Sequence, residues 1–260
     1  MRKVEPEVFL VARPELDYDE LGRYLDEVGA SKWLERLDRG DLDAQNLAEF
    51  AGRLCYRSFE PGLNPNVVRI RENQGDYLRN ILASAHGSVL EHLNFSFVLH
   101  NVSRVLTHEL VRHRPGVAIS QESLRFVRLT ELPFWFPEWA QQDPELMKRA
   151  TAMLEQMEEF QGWMAEHFGL DEEGKVFAEK KHRTSFMRRF APEGLATGLV
   201  WTANVRTLRH TIEARTAVGA EEEIRLLFQT IGELMRREAP ALFGDYVVED
   251  GAWIPGWRKV

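Results

Sequence analysis

Two short runs suited to β-strands, set among longer helical segments, constrain most strongly what this chain can fold into. Residues 93–99 begin by alternating apolar and polar side chains, which is typical of a half-buried strand, and residues 195–201 are again compatible with a strand. The other periodic segments repeat their apolar residues at helical spacing. Helices mixed with a few strands, without a regular strand–helix alternation, predict an α+β fold and not a doubly wound α/β fold.

Helical segments are predicted before, between and after these strands. Their ranges are 21–28, 31–37, 41–54, 67–85, 143–169 and 220–237. The apolar face of the third segment consists of Leu47, Phe50, Ala51 and Leu54. Residues 58–66 contain two prolines and a glycine and are predicted to form a loop.

Two further helices are predicted to begin at polar caps. Asn101 or Ser103 is suited to cap a helix that Pro115-Gly116 ends, because a side-chain oxygen at this position accepts from the first free backbone N–H groups. The tripeptide Arg-His-Arg at 112–114 is therefore expected in the last turn of this helix or just beyond it. Asn204 is suited to cap another helix directly after the second strand.

Composition excludes several classes of protein. With 260 residues and a net charge of −8, the chain is near the upper end of a single domain and unlike a nucleic-acid binder that uses a broad basic surface. No apolar run approaches the roughly 20 residues that cross a bilayer, and residues 1–7 lack the apolar core of a signal peptide, so we expect a cytoplasmic protein. The single cysteine, Cys55, excludes an intramolecular disulfide, and we expect it to be a small buried residue and not a nucleophile.

One segment of this acidic chain is strongly basic. Between Arg112 and Arg128 lie four arginines and one histidine against a single carboxylate, Glu122. Planar guanidinium groups bind the oxygens of phosphates and carboxylates two at a time. With Ser123 nearby, the segment predicts a site for a small anionic molecule. The alternative is a solvated basic face that compensates the charge of acidic helices elsewhere in the chain.

The order of residues in this segment resembles the signature of the flavin-dependent thymidylate synthases. Arg112-His113-Arg114 is followed by a spacer and then by Ser-Leu-Arg-Phe at 123–126, which is similar to the family's Arg-His-Arg and Ser-x-Arg-aromatic motif. The spacer, residues 115–122, is one residue longer than the family's usual spacer.

Three more groups of residues occur in the order seen in that family. The segment 86–92, His-Gly-Ser-Val-Leu-Glu-His, resembles the family's His-x-Ser/Thr-x-x-Glu-His. The run 201–215 is similar to the family's Asn-x-Arg, then Asn or His, then Arg. Arg188, four residues before Pro192, and Cys55, within Arg-x-Cys-Tyr, also fall at family positions. The resemblance covers roughly residues 45–245 and is weaker over residues 1–40 and the C-terminal tail.

The resemblance implies a fold, an activity and an assembly. The fold would be a single helix-rich α+β domain over residues 1–260 with a small, mainly antiparallel sheet. The activity would be reductive methylation of dUMP to dTMP without a protein nucleophile, with FAD as hydride carrier and with methylenetetrahydrofolate and NADPH as co-substrates. The enzyme would be a homotetramer with shared active sites, without a metal and without nucleic-acid or membrane partners.

The resemblance also implies roles for individual residues. The dUMP ligands would be Glu109, Gln121, Ser123, Arg125, Arg188 and Arg215. Of these, Arg215 would stabilise negative charge on the uracil carbonyl, and Ser123 is interpreted as a binding residue because no activating base lies near it in the sequence. The FAD ligands would be Cys55, Ser88, Glu91, Arg112, His113, Arg114, Asn204, Arg206 and His210. His86 would lie on the folate side.

The chain departs from the family at a few positions. Glu109 stands where some members have a glutamine, Gln121 stands close to a family glutamate, and Gly219 replaces a histidine that touches flavin in some members. Two alternatives therefore stay open: a related flavin enzyme that acts on another pyrimidine nucleotide, and a non-catalytic nucleotide-binding protein.

Overall fold

The computed structural model describes residues 1–37, 42–125, 129, 131–172, 174 and 176–260. The helices are α1 (Tyr18–Glu27), α2 (Ser31–Leu34), α3 (Asp43–Tyr56), α4 (Gln74–Ala83), α5 (Arg104–Leu110), α6 (Glu138–Gln141), α7 (Pro144–His167), α8 (Phe177–Met187), α9 (Val205–Thr216), α10 (Glu222–Glu238) and α11 (Pro240–Phe243). The strands are β1 (Arg2–Lys3), β2 (Glu7–Ala12), β3 (Asn94–Ser103), β4 (Val117–Gln121), β5 (Pro133–Phe134), β6 (Ala196–Asn204), β7 (Tyr246–Glu249) and β8 (Ala252–Pro255). Two 3₁₀ segments cover Gly87–His92 and Arg188–Phe190.

A four-stranded antiparallel sheet in the order β2-β3-β6-β4 organises the molecule. Its two central strands, β3 and β6, contain the two strands predicted from the sequence, and they pair from Asn94 opposite Asn204 to Ser103 opposite Ala196. Strands β7 and β8 form a separate antiparallel hairpin, and β1 pairs in parallel with β5. The expected α+β fold with a small, mainly antiparallel sheet is confirmed.

The main core lies between this sheet and the helices α9 and α10. Alternate side chains of β3, Phe95, Phe97 and Leu99, are at most 1% exposed, as expected when one face of a strand is buried. They belong to one apolar cluster with Trp201 of β6 and Phe228 of α10. Since burial of such side chains is the dominant favourable term in folding, α9 and the end of β6 are held firmly against the sheet.

Helix caps confirm one sequence prediction and decide one alternative. The Ser103 hydroxyl accepts from the Leu106 N–H at 3.0 Å, so Ser103 and not Asn101 caps α5. The Asn204 side chain accepts from the Thr207 N–H at 2.9 Å and caps α9. Asp143 caps α7, and Pro144 occupies its first position. The Arg-His-Arg tripeptide lies just beyond α5, which ends at Leu110.

Helix α3 is present, but its predicted apolar face is only partly buried: Phe50 and Ala51 pack against the apolar clusters. Position 41, where the prediction began, lies outside the described residues. The helix buries Ala44, Ala48 and Gly52 together with several polar residues, whereas Leu54 is exposed. Cys55 is also exposed, contrary to expectation. The reason is that the buried side of α3 is specified by small residues and by a buried ion pair, which an apolar count does not detect.

Helix α4 is shorter than the predicted segment 67–85. It begins at Gln74 because the Asn73 side chain accepts from the Asp76 N–H at 2.9 Å and caps it. Residues 67–73 are not helical, and the carbonyl oxygen of Arg71 in this stretch accepts instead from the Arg53 guanidinium at 2.6 Å. The predicted loop at 58–66 is confirmed. None of the helices in the described ranges combines the length and apolar character that crossing a membrane requires.

Candidate functional site

The start of α9 and the loop after α5 line a cavity of about 420 Å³, called the α9 cavity below. Its lining residues are Glu91, Arg112, His113, Pro115, Gly116, Asn204, Arg206, Thr207, His210 and Val260. The volume lies within the range of small-molecule and cofactor sites. Six of the nine residues predicted to contact flavin are thereby brought together, from three separate stretches of the sequence.

Pro115 and Gly116 attach the Arg-His-Arg loop to α9. The Thr207 hydroxyl donates to the Pro115 carbonyl oxygen at 2.6 Å, and the Asn204 N–H donates to the Gly116 carbonyl oxygen at 3.0 Å. Gly116 has a φ of +66°, and a Cβ on it would lie 2.2 Å from the side-chain amide nitrogen (Nδ2) of Asn204. Only glycine fits this position, because other residues are strained in the left-handed region and the space is filled.

Arg206 and Arg112 bring positive charge to the α9 cavity. Arg206 forms an ion pair with Glu91 at 2.5 Å, and both side chains are about half exposed. Glu91 belongs to the 3₁₀ segment that precedes β3. With one side-chain carboxylate against two guanidinium groups among the lining residues, the cavity suits an anionic ligand.

His113 links the α9 cavity to Arg215. The Arg215 Nε donates to His113 Nε2 at 2.8 Å, and the Arg215 guanidinium also binds the side chain and the carbonyl oxygen of Glu109. The His113 ring lies against the ring of His210, with 5.7 Å between centroids. Burial lowers the pKa of His113 to about 4, with further lowering by the positive charge of Arg215 and by His210. His113 is therefore neutral near pH 7.

A second cavity of about 490 Å³, called the arginine pocket below, lies where the Ser-Leu-Arg motif meets the end of α8. Its lining residues are Arg104, Gln121, Glu122, Ser123, Leu124, Arg188 and Arg189. The structure thus brings together Gln121, Ser123 and Arg188, three of the residues predicted to bind dUMP. Gln121 and Ser123 lie at and just after the end of β4, and Arg188 comes from the distant 3₁₀ segment after α8.

Arg104 is a member of this pocket that the sequence did not reveal. Its Nη2 donates to the Glu122 carbonyl oxygen at 3.0 Å, while its Nε is buried without a partner among the described residues. The Glu122 carboxylate accepts instead from the Gly198 N–H at 3.1 Å. Burial lowers the pKa of Arg104; Glu122 opposes this effect and Arg188 adds to it. A desolvated cation beside another arginine is costly unless an anion binds there.

Helix α5 joins the two cavities. Arg104 is its first residue and lies in the arginine pocket, and Glu109, near its end, binds Arg215. Five residues of helix advance about 7.5 Å along the axis. The Gln121 amide also donates to the Thr107 hydroxyl of α5 at 3.2 Å. The pocket and Arg215 are therefore placed at the two ends of one short helix.

Several predicted residues lie outside both sets of lining residues. They are Cys55, His86, Ser88, Glu109, Arg114, Arg125 and Arg215, of which Glu109 and Arg215 contact each other and Arg215 contacts His113. The Arg125 N–H donates to the Ser123 hydroxyl at 3.4 Å, and its carbonyl oxygen accepts from Thr184 of α8 at 3.0 Å, so its backbone is anchored beside the pocket. The aromatic residue of the motif, Phe126, lies outside the described residues.

The surroundings of His86 and Gly219 differ from those of the cavities. The His86 ring lies edge-on to Tyr56, with 5.8 Å between centroids. A Cβ on Gly219 would meet no atom within 4 Å among the described residues, so the position has room for a larger side chain. Val260, which lines the α9 cavity, was not predicted, because nothing in its local sequence indicates a ligand.

Comparison with known proteins adds to this geometry. Residues 38–241 match the family model described as thymidylate synthase complementing protein. The chain is 34% identical to the flavin-dependent thymidylate synthase of Corynebacterium aurimucosum over 214 residues, which cover 81% of this chain and 83% of that protein.

Two solved structures are similar in fold. The UMP/dUMP methylase PolB from Streptomyces cacaoi, bound with 5-Br dUMP, superposes with a TM-score of 0.61 at 15% identity and covers 94% of this chain and 96% of its own. Thymidylate synthase X from Helicobacter pylori, with FAD and dUMP, gives a TM-score of 0.50 at 23% identity and covers 77% of this chain and 93% of its own. At these identities the two structures support the fold.

Proposed function

This chain belongs to the flavin-dependent thymidylate synthase family, and we propose that it catalyses the reductive methylation of dUMP to dTMP. The protein is an enzyme, a methyltransferase. The observation that carries the proposal is the pairing of two ligand sites by one helix: α5 places Arg104 in the arginine pocket and Glu109 against Arg215, next to the α9 cavity. A nucleotide bound across α5 would have its base beside the cavity that suits the flavin.

The arginine pocket would bind the dUMP phosphate. Arg104 and Arg188 supply guanidinium groups, and Ser123 supplies a hydroxyl, in a pocket where the one lining carboxylate is engaged by the backbone of β6. Guanidinium groups bind phosphate oxygens through two parallel hydrogen bonds, which fixes orientation as well as position. Arg125, whose backbone is anchored beside the pocket, would add a further cation, and Gln121 would contact the nucleotide.

Arg215 would act at the uracil end. In the reaction, C5 of the uracil takes up a methylene unit and a hydride and loses its proton. Negative charge develops on the adjacent carbonyl oxygen as C5 becomes nucleophilic, and a fixed cation nearby lowers the energy of that state. Arg215 is fixed by Glu109 and His113, and its side chain is only 17% exposed, so its charge is partly shielded from water.

The α9 cavity suits FAD in its donor set. Arg112 and Arg206 would meet phosphate or carbonyl oxygens, and His113 and His210 contribute rings that pack against a planar group. When bound, FAD would supply the hydride chemistry that amino-acid side chains lack, with NADPH as the reductant and methylenetetrahydrofolate as the carbon donor. The cavity holds only part of a molecule as large as FAD, which supports a site completed by another subunit.

We propose that no residue of the protein forms a covalent intermediate. A serine needs a base to become a nucleophile. Ser123 accepts a hydrogen bond from the Arg125 N–H, and no histidine is found among the described residues that line its pocket. Cys55 is exposed on α3 and lines neither cavity.

The proposed assembly is a cytoplasmic homotetramer of single-domain subunits, each spanning residues 1–260, with active sites shared between subunits. In this arrangement Ser88, Arg114 and Cys55 would reach FAD, and His86 would reach folate, where a second subunit completes the site. Light scattering at micromolar concentration tests the assembly. A mass of four subunits is expected, and a monomer would contradict the shared-site arrangement.

The activity is tested by following dTMP formation from dUMP, methylenetetrahydrofolate, NADPH and FAD under anaerobic conditions, with each component omitted in turn. We expect product only in the complete mixture, and a yellow protein that retains flavin through gel filtration. Flavin binding without product from dUMP, but with product from another pyrimidine nucleotide, would contradict the proposed substrate. A protein that binds no flavin would contradict the proposed chemistry.

A further inference from the structure

Glu109 makes two of the three contacts that hold the Arg215 guanidinium. Its carboxylate accepts from Arg215 Nη1, and its carbonyl oxygen accepts from Nη2 at 2.9 Å. The third contact runs from Arg215 Nε to His113 Nε2 at 2.8 Å. A guanidinium has five N–H groups, so two of them remain for a ligand once the contacts within the described chain are counted. Since Glu109 makes two of the three contacts, it mainly determines where the two remaining N–H groups of Arg215 point.

The same contacts determine where the proton on His113 lies. Because Nε2 accepts a hydrogen bond from Arg215, it carries no proton, and a neutral imidazole then carries its proton on Nδ1. The ring lines the α9 cavity, and its hydrogen bond within the described part of the chain is the one that Nε2 accepts from Arg215. His113 is thereby left with one N–H donor for a ligand in the cavity. A rotation of Arg215 would release Nε2 and allow the other tautomer.

We propose that Glu109 is a positioning residue: it holds Arg215, and through Arg215 it fixes His113 as a neutral imidazole with its proton on Nδ1. This inference rests on the proposed function and deepens it, because Arg215 serves the pyrimidine side and His113 the flavin side. Glu109 thus determines the orientation of Arg215 on the pyrimidine side and the tautomer of His113 on the flavin side, without contacting the reacting atoms. Its charge also offsets that of Arg215, and the side chains of the pair are 33% and 17% exposed.

The position of Glu109 at the end of α5 explains how it holds Arg215 in place. Val111, directly after α5, donates its N–H to the Thr107 carbonyl oxygen at 3.0 Å, so the backbone of Glu109 is inside a closed helical turn. The Glu109 carbonyl oxygen is therefore a fixed acceptor, and the carboxylate is attached to the same rigid turn. Two fixed acceptors on one residue restrict a planar guanidinium more than a single one does.

The proton on His113 is observed directly by ¹⁵N NMR of histidine side chains, with the His113→Asn variant identifying the signals. In the free wild-type protein we expect one tautomer, protonated at Nδ1, and no titration of the ring between pH 5 and 8. Glu109→Ala should give a mixture of tautomers and a ring that titrates closer to its ordinary range. Arg215→Met should change His113 in the same way, and Glu109→Gln, which keeps an acceptor oxygen, should change it less.

Glu213→Gln is the matched control. Glu213 lies on α9, the helix of Arg215, and pairs with an arginine, Arg258, at 3.1 Å. Its side chain is 32% exposed, almost as much as that of Glu109. This variant should leave the His113 signals as they are in the wild-type protein. Unchanged His113 signals in Glu109→Ala and in Arg215→Met would overturn the proposal.

A double-mutant cycle on dUMP affinity separates positioning from direct contact with the substrate. If Glu109 acts through Arg215, Glu109→Ala weakens dUMP binding about tenfold, as expected for the loss of one charge-assisted contact. The double variant should then bind dUMP no more weakly than Arg215→Met alone. Additive losses would mean that Glu109 contacts the nucleotide itself and would overturn the positioning role. If the wild-type protein binds no dUMP, the proposed function fails, whereas the His113 signals still decide the role of Glu109.

Discussion

Two glutamate–arginine pairs in this molecule have the same chemistry and opposite surroundings. Glu49 and Arg53, on α3, are 4% and 1% exposed. Glu109 and Arg215 are 33% and 17% exposed and lie beside the α9 cavity. Both pairs contain charge-assisted hydrogen bonds, so the presence of an ion pair does not by itself distinguish a structural role from a functional one.

The pairs differ in how deeply they are buried and in what lies beside each guanidinium. All three nitrogens of Arg53 have partners: Glu49 at 2.7 Å and two carbonyl oxygens at 2.6 Å. Its guanidinium also lies over the Tyr77 ring at 4.4 Å, and the second oxygen of Glu49 accepts from Gln74 at 3.0 Å. Arg215 likewise has one hydrogen bond from each of its three nitrogens, but its side chain is 17% exposed and one of its partners, His113, lines the α9 cavity. A fully buried pair stabilises the fold, whereas the N–H groups that remain on a partly exposed guanidinium beside a cavity are available to a ligand.

Breaking the buried pair should have the largest effect on stability. Arg53→Met leaves Glu49 as a buried, uncompensated charge, which costs about 3–5 kcal/mol of the free energy of unfolding. Urea denaturation followed by circular dichroism measures the loss. Arg149→Met is the matched control, because Arg149 pairs with Glu145 on the surface at 2.7 Å, and we expect a change below about 0.5 kcal/mol. Equal losses in both variants would contradict the distinction.

Arg104 extends the comparison to an arginine that donates to a carbonyl oxygen, that of Glu122, and not to a carboxylate. Arg104→Gln should weaken dUMP binding by tens of fold, which corresponds to a loss of about 2 kcal/mol for a charged hydrogen bond. Affinity for deoxyuridine, which lacks the phosphate, should stay unchanged. Calorimetry on both ligands checks this. An equal loss for nucleotide and nucleoside would mean that Arg104 supports the shape of the pocket and not the phosphate.

Gly116→Ala should disturb the α9 cavity without changing a residue of either glutamate–arginine pair. The new Cβ would lie 2.2 Å from the Asn204 amide nitrogen at a backbone φ of +66°, so the loop must shift. We expect a loss of stability of about 1–2 kcal/mol, typical of a strained residue, together with weaker FAD binding, measured by fluorescence quenching. Gly162→Ala, where a Cβ meets no described atom within 4 Å, is the control. Unchanged FAD affinity in Gly116→Ala would show that this loop does not contribute to FAD binding.

The pH dependence of stability has opposite signs at a residue beside the cavity and at a residue of the core. The folded-state pKa of His113 is lowered to about 4, so its contribution is present above pH 6.5 and is lost as the pH falls towards 4. Burial raises the pKa of Glu223 to about 7, so its contribution is present below pH 4.5 and is lost as the pH rises through 7.

Unfolding measured between pH 4 and 7 separates the two groups. Relative to the wild-type protein, His113→Asn should lose stability as the pH rises, and Glu223→Gln should gain it. Parallel curves for the two variants would contradict the assigned pKa shifts.

The sequence predicted the parts of the fold that depend on local patterns. The two central strands, the caps Ser103 and Asn204, and the position of the Arg-His-Arg tripeptide follow from short-range preferences and are confirmed. The hairpin of β7 and β8 was missed although Asp250-Gly251 signals it. Both residues have positive φ, as a two-residue hairpin turn requires.

Other features could not be predicted because they depend on partners distant in sequence. Strand β4 is short and gains its place by pairing with β6, about 80 residues further along the chain. Arg104 enters the arginine pocket only because β4 and the end of α8 fold beside α5. The buried face of α3 depends on Arg53 meeting the Ser58 and Arg71 carbonyl oxygens, which no apolar periodicity reveals.

The central claim is that the cavity pair serves the reaction and the buried pair serves the fold. It is tested most directly by measuring dTMP formation by Arg215→Met protein alongside its free energy of unfolding. We predict that product formation falls below detection while the free energy of unfolding stays within about 1 kcal/mol of the wild-type value, as for a partly exposed pair. Turnover close to that of the wild-type protein, or a loss in the free energy of unfolding as large as that of Arg53→Met, would contradict the claim.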